Sequence, residues 1–235
     1  MKHITILLLP ALVPVLLLGG CRSDGADGGA DSAFFRTPNR ESEKKPVVKD
    51  PITLLFPTGK ERRWEMAVRA MDKLNTESVR VDEPRTMNGV TNATTLTMYQ
   101  NGKAYRSEIF QVKPESLSLV AAGGAEKMLM SPPMLLLRTQ APEGAEYKWE
   151  GEITFKGAKA PAQAYSRVHA PREVVTPAGK FTAYRVDTAL TTIIEGNTVT
   201  FPASRWFVPG VGIVKQVFRV GNAEVEKQLT SFKGG

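Results

Sequence analysis

The sequence predicts an all-β protein built on an antiparallel sheet, either a curved half-barrel or two packed meanders from an internal duplication. Three observations predict it. Apolar and polar residues alternate along several segments, as in half-buried strands. Gly and Pro punctuate the chain at intervals of roughly ten residues. No amphipathic helical stripe runs beyond two turns. At 235 residues, 42% hydrophobic and 23% charged, the chain suits one domain or two small ones. With 20 Gly and 16 Pro it is neither collagen-like nor wholly disordered, and its single Cys excludes an intramolecular disulfide.

Residues 1–20 read as a lipoprotein signal peptide. Met1-Lys2-His3 is a short positive start, and the apolar run from Ile4 to Leu18 is interrupted by Pro10 and Pro14. That run falls short of the about 20 residues of a membrane span. It ends in Leu18-Gly19-Gly20-Cys21, which resembles the lipobox of bacterial lipoproteins. The resemblance implies that Cys21 receives a diacylglycerol and becomes the mature N-terminus. The alternative, an ordinary signal peptide followed by a stray cysteine, leaves unexplained why the one Cys stands at the lipobox position. The implied partner is a membrane, held through the N-terminal lipid anchor. The implied address is the bacterial cell envelope. Arg22, rather than Asp, after the cysteine points to the outer membrane, with the protein facing the periplasm.

Residues 21–50 form the expected tether. From Arg22 to Asp50 the chain carries six basic and six acidic residues among repeated Gly and Asp. Such a stretch buries too little apolar area to offset chain entropy. Its reach is roughly 30 Å if it is a random coil. Phe34-Phe35 is its one aromatic dipeptide. Residues 51–235 then form a single all-β domain of net charge +6, once Lys2 and the neutral tether are set aside. That favours anionic surfaces, but no Lys/Arg stripe interleaved with aromatics marks a nucleic-acid partner.

Within the domain, the first segment is ambiguous. Thr58-x-x-Glu61 has the form of a capping box, and Trp64, Val68 and Met71 fit a helical stripe. Trp64, Met66, Val68 and Ala70 alternate equally well as a strand. Thr91–Tyr99 and Lys103–Val112 flank Gln100-Asn101-Gly102, a hairpin signal. Tyr147 to Lys156 alternates without a break. Pro177-Ala178-Gly179 is a turn before the strand Phe181–Leu190, and Pro209-Gly210 suits the centre of a type II turn. Val211–Val220 and Ala223–Phe232 are separated by Gly221-Asn222, another hairpin signal.

An internal comparison favours the strand at Trp64. Pro57, Gly59, Trp64 and Val68 match Pro142, Gly144, Trp149 and Ile153 in spacing. Apolar runs precede both sets (Leu54-Leu55-Phe56 and Met134 to Leu137). Gly89–Tyr99 parallels Gly179–Thr188, and Ser107-Glu108-Ile109-Phe110 parallels Ser204-Arg205-Trp206-Phe207. The pseudo-repeats span about 51–125 and 130–235.

The second half also carries the segment Val174-Val175-Thr176-Pro177-Ala178-Gly179-Lys180-Phe181 and, further on, Arg205-Trp206-Phe207-Val208-Pro209-Gly210-Val211-Gly212-Ile213-Val214-Lys215. These motifs resemble a TapB-like family of bacterial envelope lipoproteins of unknown function, mainly over residues 130–232. The resemblance implies a secreted, often lipid-anchored, antiparallel β domain and supplies no catalytic residues.

Chemistry-bearing residues are sparse. His169 is the one histidine outside the leader, and no Gly-x-Ser-x-Gly elbow accompanies it. Glu150/Glu152 and Glu224/Glu226 fall on the polar side of alternating strands. No catalytic residue, metal ligand or cofactor site is expected. Leu117 to Leu137 is the candidate binding segment, because Met128, Met130 and Met134 fall within it and methionine lines adaptable apolar surfaces. Trp206 and Phe207 are further ligand-contact candidates; they point to opposite faces of one strand, so one faces the core and the other a groove or solvent. The favoured function is a non-catalytic envelope lipoprotein that binds an apolar ligand or lipid in a β concavity. A module that docks on another envelope protein is the alternative, and a hydrolase a remote one.

Overall fold

The computed structural model describes residues 45–59, 61–87, 89–220 and 222–234. The leader, Cys21, the tether as far as residue 44 and Gly221 of the last hairpin lie outside the described residues. One short helix, α1 (Ile52–Leu55), precedes the strands. They are β1 (Arg63–Ala70), β2 (Lys73–Val81), β3 (Arg85–Met87), β4 (Val90–Gln100), β5 (Lys103–Lys113), β6 (Ser116–Gly123), β7 (Lys127–Arg138), β8 (Glu146–Phe155), β9 (Ala158–Thr176), β10 (Gly179–Ile194), β11 (Asn197–Val208), β12 (Gly212–Val220) and β13 (Ala223–Lys233).

All pair antiparallel, and sequential neighbours from β3 to β13 pair in chain order. β13 then pairs with β1, β1 with β2, and β2 with β4. β2 and β3 lie end to end along one side of β4, pairing with residues 96–99 and 90–93 respectively. The ring is therefore closed and has twelve strands, with β3 prolonging β2. This corrects the expected half-barrel or pair of meanders: the all-β antiparallel character holds, but the two halves form one sheet. An open half-barrel would leave two edges of unpaired N–H and C=O groups, and ring closure removes both.

Local chemistry sets the turns. Asn101-Gly102, Lys156-Gly157 and Glu195-Gly196 all have positive φ at both positions (52° and 75°, 52° and 79°, 51° and 78°), the requirement of a type I′ hairpin. Gly210 has φ 76°, and the Val211 N–H donates to the Val208 carbonyl at 3.1 Å, closing the turn that Pro209-Gly210 predicts.

Trp64 begins a strand, not a helix, because Trp64 and Met66 pack on the inner face of β1. The preceding run differs: Leu54 and Leu55 lie in α1, whereas Met134 to Leu137 lies in β7. The Ile52 N–H donates to Pro114 O at 3.1 Å and the Gly210 N–H to Leu54 O at 2.9 Å. The helical turn thus spans one end of the barrel, from the β5–β6 turn to the β11–β12 turn, with Ile52, Leu55 and Phe56 fully buried.

The end of the expected tether belongs to the same cap. The N–H groups of Val47 and Val48 donate to Ala141 O, Val48 is fully buried, and the Tyr184 hydroxyl donates to Asp50 at 2.8 Å. The domain boundary at residue 51 is accordingly too late. Two valines among charges suffice to cover an apolar barrel end, which a composition average conceals. Ser42–Gly235 is one compact unit, and among the described residues every buried core side chain lies between Val48 and Leu229, so this segment carries the whole of that core.

The positions matched in sequence fall at equal places in the ring. Trp64 lies on β1 and Trp149 on β8, and each indole N–H donates to a backbone carbonyl (Val211 at 2.8 Å, Pro132 at 2.9 Å). Each ring also fills the space above a glycine. A Cβ on Gly212 would stand 2.5 Å from the Trp64 ring, where φ is 102°; one on Gly151 would stand 2.5 Å from both the Trp149 ring and Ser131 O. We expect Gly212→Ala and Gly151→Ala each to cost about 1–3 kcal/mol in chemical denaturation. Gly151→Ala should be the worse at its backbone contact, and an unchanged midpoint there would refute this account of the Trp149 seat.

Candidate functional site

β5 and β11 stand six places apart in the ring of twelve, so a contact between them must cross the lumen. Arg205 on β11 makes that contact, its guanidinium reaching Glu108 on β5 at 3.5 Å. Arg106 (3.4 Å) and Gln216 (3.5 Å) complete the surroundings of the carboxylate. Next to it Lys227 donates to both oxygens of Glu77 at 2.7 and 2.8 Å, and the Tyr105 hydroxyl donates to Glu77. Glu108 is 1% exposed and Arg205 5%.

Burial by itself raises the Glu108 pKa, but Arg205, Arg106, Lys227 and the Gln216 hydrogen bond outweigh it and hold the group at about 2. Burial raises the Tyr105 hydroxyl well above its ordinary range, and the Glu77 charge adds to the effect. The contacts to Glu108 stand at the outer limit of hydrogen bonding. Arg205 Nε, Arg106 Nε and Thr188 Oγ1 are buried with no hydrogen-bond partner.

A cavity of about 220 Å³ lies against this layer. Its polar lining is Arg106, Glu108, Thr188, Arg205, Gln216 and Arg219, and its apolar lining includes Leu119, Met128, Met130, Met134, Leu190 and Phe201. Met128, Phe201 and Arg219 lie within a few residues of hairpin turns, so the cavity runs toward the end of the barrel opposite α1.

All three expected methionines line this cavity, and the two expected aromatics do not. Phe207 is fully buried in the core, and Trp206 sits on the outer wall between Arg185 and Lys215, with ring centroid distances of 5.2 and 5.3 Å. The pleat explains both positions: inward-facing Arg205 and Phe207 leave Trp206 outside. The polar layer was missed because each member reads singly as the polar half of an alternating strand. One signal was present. The matched tetrapeptides set Glu108 opposite Arg205, and half a ring apart these opposite charges meet across the lumen.

His169 lies on the outer wall. Its Nε2 is 2.8 Å from Asp187, which also accepts from Ser204 Oγ at 2.6 Å and Arg185 Nε at 2.7 Å. The carboxylate stands between serine and histidine, whereas a nucleophile needs the imidazole beside it. Burial raises the Asp187 pKa, but Ser204 and Arg185 overcome this and lower it. Glu152 and Glu226 are engaged by Lys159 (2.8 Å) and Lys215 (2.5 Å).

Neither a protein-family model nor a curated protein matches the chain. Solved structures do. An inferred exported protein with a YmcC-like fold from Bacteroides fragilis NCTC 9343 has a TM-score of 0.53 and 16% identity, covering 76% of this chain and 98% of its own. An inferred lipoprotein from Parabacteroides distasonis ATCC 8503 has a TM-score of 0.51 and 16% identity, covering 79% and 100%. The fold is YmcC-like. Identity this low shows the fold alone, and the TapB-like resemblance is not confirmed by it.

The luminal pair makes a testable demand on stability. A carboxylate whose pKa is depressed by folding stabilises above its ordinary value of 4.5, and that contribution is lost as pH falls toward about 2. We expect Glu108→Gln to cost about 3–5 kcal/mol at neutral pH, as for breaking a buried pair. The difference from wild type should shrink between pH 4.5 and about 2. Denaturant titrations across that range check it, and a gap that does not shrink would exclude the ionised Glu108.

Proposed function

We propose that the protein is a non-catalytic, lipid-anchored envelope lipoprotein whose barrel lumen holds a small apolar or amphipathic ligand. The observation that carries this reading is the luminal cavity, with its methionine-rich wall and adjoining unpartnered polar atoms. Unfilled apolar volume lowers stability, and ligand sites combine an apolar lining with a few polar groups. The lipobox-like Leu18-Gly19-Gly20-Cys21 supports the anchor, and fold neighbours described as exported or as a lipoprotein support the envelope address. Facing the periplasm from the outer membrane is the placement we infer from Arg22. The outer wall carries exposed pairs such as Arg167–Glu146 and Lys180–Glu173, while the core is apolar. A lipid-facing barrel has the reverse arrangement, which supports a domain held beside the membrane by its anchor.

A docking role for the outer wall is the second reading, favoured by Trp206 between its two cations. Aromatic and Arg side chains of this kind dominate binding surfaces.

Two measurements test the main reading. Ala122 lines the cavity and is buried. Ala122→Phe should fill the space, keep the thermal midpoint of segment 42–235 near wild type and abolish uptake of a fluorescent fatty acid. Full uptake by this variant would refute a luminal site. Metabolic labelling with a clickable palmitate analogue should mark the wild type and not Cys21→Ser; an unlabelled, soluble wild type would refute the anchor.

A further inference from the structure

Resting on the luminal reading above, we infer that the ligand is a single-chain amphiphile with an anionic head, a carboxylate or a phosphate. Its acid group is held by Arg205 and Arg106, and its apolar body lies on Met128, Met130 and Met134.

The charge inventory carries this. Arg106, Arg205 and Arg219 line the cavity against the single carboxylate of Glu108; Arg205 is buried, Arg106 partly exposed and Arg219 exposed. The adjoining Lys227 is already neutralised by Glu77, which both of its contacts hold within 2.8 Å. Glu108 answers one guanidinium, and its reach to Arg205 and Arg106 is long, at 3.4–3.5 Å. Two guanidinium groups, Arg205 buried and Arg106 partly so, thus face one carboxylate, and an incoming anion answers the second.

Donor geometry agrees. Arg205 Nε and Arg106 Nε are buried donors without acceptors, and Thr188 Oγ1 beside them is likewise unpartnered. Arg205 is more than nine-tenths buried. An alcohol head would fill one such donor weakly, and an ammonium head would add a fourth cation. A carboxylate or phosphate accepts from both guanidinium groups at once. The rest of the lining sets the body of the ligand: methionine, leucine and phenylalanine side chains supply no partner for polar groups. The volume of about 220 Å³ holds about seven water-sized groups, which suits a chain of medium length.

The test titrates segment 42–235 calorimetrically with octanoate, octyl phosphate, octan-1-ol and octylammonium. The two anions should bind at least about tenfold tighter than the alcohol or the amine, as charge-assisted bonds demand. Whichever anion binds tighter identifies the head. The preference should fall to near parity in Arg205→Gln and in Arg106→Gln. Should Arg205→Gln fail to fold, Arg106→Gln decides alone, since its side chain is 27% exposed and tolerates exchange. If alcohol and anions bind equally, or if the preference survives in the folded variants, the head-group assignment is overturned while the lumen remains a ligand site. If none of the four binds, the luminal reading itself falls and takes this inference with it.

Discussion

Ring closure is the constraint on which the rest of this molecule depends. Four pairs between β2 and β4, from Ser78↔Tyr99 to Val81↔Leu96, join the last free edges. Once they form, every inward side chain shares a single lumen. An eight-strand barrel is about wide enough for side chains alone to fill. Twelve strands enclose more than that. Additional material is needed, and α1 supplies it at one end, where Phe56 packs at a tilt of 46° on Phe110 with centroids 4.8 Å apart. Beyond the aromatic core the Glu108–Arg205 bridge crosses the lumen, and the space past it on the hairpin side is the cavity. Cap, polar layer and cavity are three consequences of one diameter.

The polar layer is a poor device for stability alone. Replacing buried ion pairs with well-packed apolar side chains is often neutral or stabilising, and the contacts around Glu108 are long. Glu77 and Lys227 show what a tight buried pair looks like in the same barrel, at 2.7 and 2.8 Å. The contrast between the two pairs separates a tightly satisfied contact from one whose arginines keep unpartnered donors. The long contacts and the cavity meet at Arg205.

The outer wall follows different rules. Its ion pairs, such as Lys159–Glu152 and Arg167–Glu146, are largely exposed and contribute little each. They leave the outside of a continuous sheet charged. Trp206 interrupts this surface, yet Arg185 and Lys215 cover its faces, so this expected ligand-contact aromatic is clad in charge.

Much of this was determined by local sequence alone. Alternation and turn chemistry are properties of neighbouring residues, so strands such as Tyr147–Lys156, the Asn101-Gly102 hairpin and the Pro209-Gly210 turn could be read directly. The clustering of Met128, Met130 and Met134 is local as well, and it located one wall of the cavity. Ring closure is not local. The pairs joining β1 to β13 and β2 to β4 are set by the accumulated twist and register of twelve strands, which no short window contains. The polar layer depends on that closure. Glu108 and Arg205 are 97 residues apart, and only a closed barrel brings their side chains together. Phe207 and Trp206 were separated by the same geometry, because the pleat fixes that they face oppositely while the ring decides which side is the lumen.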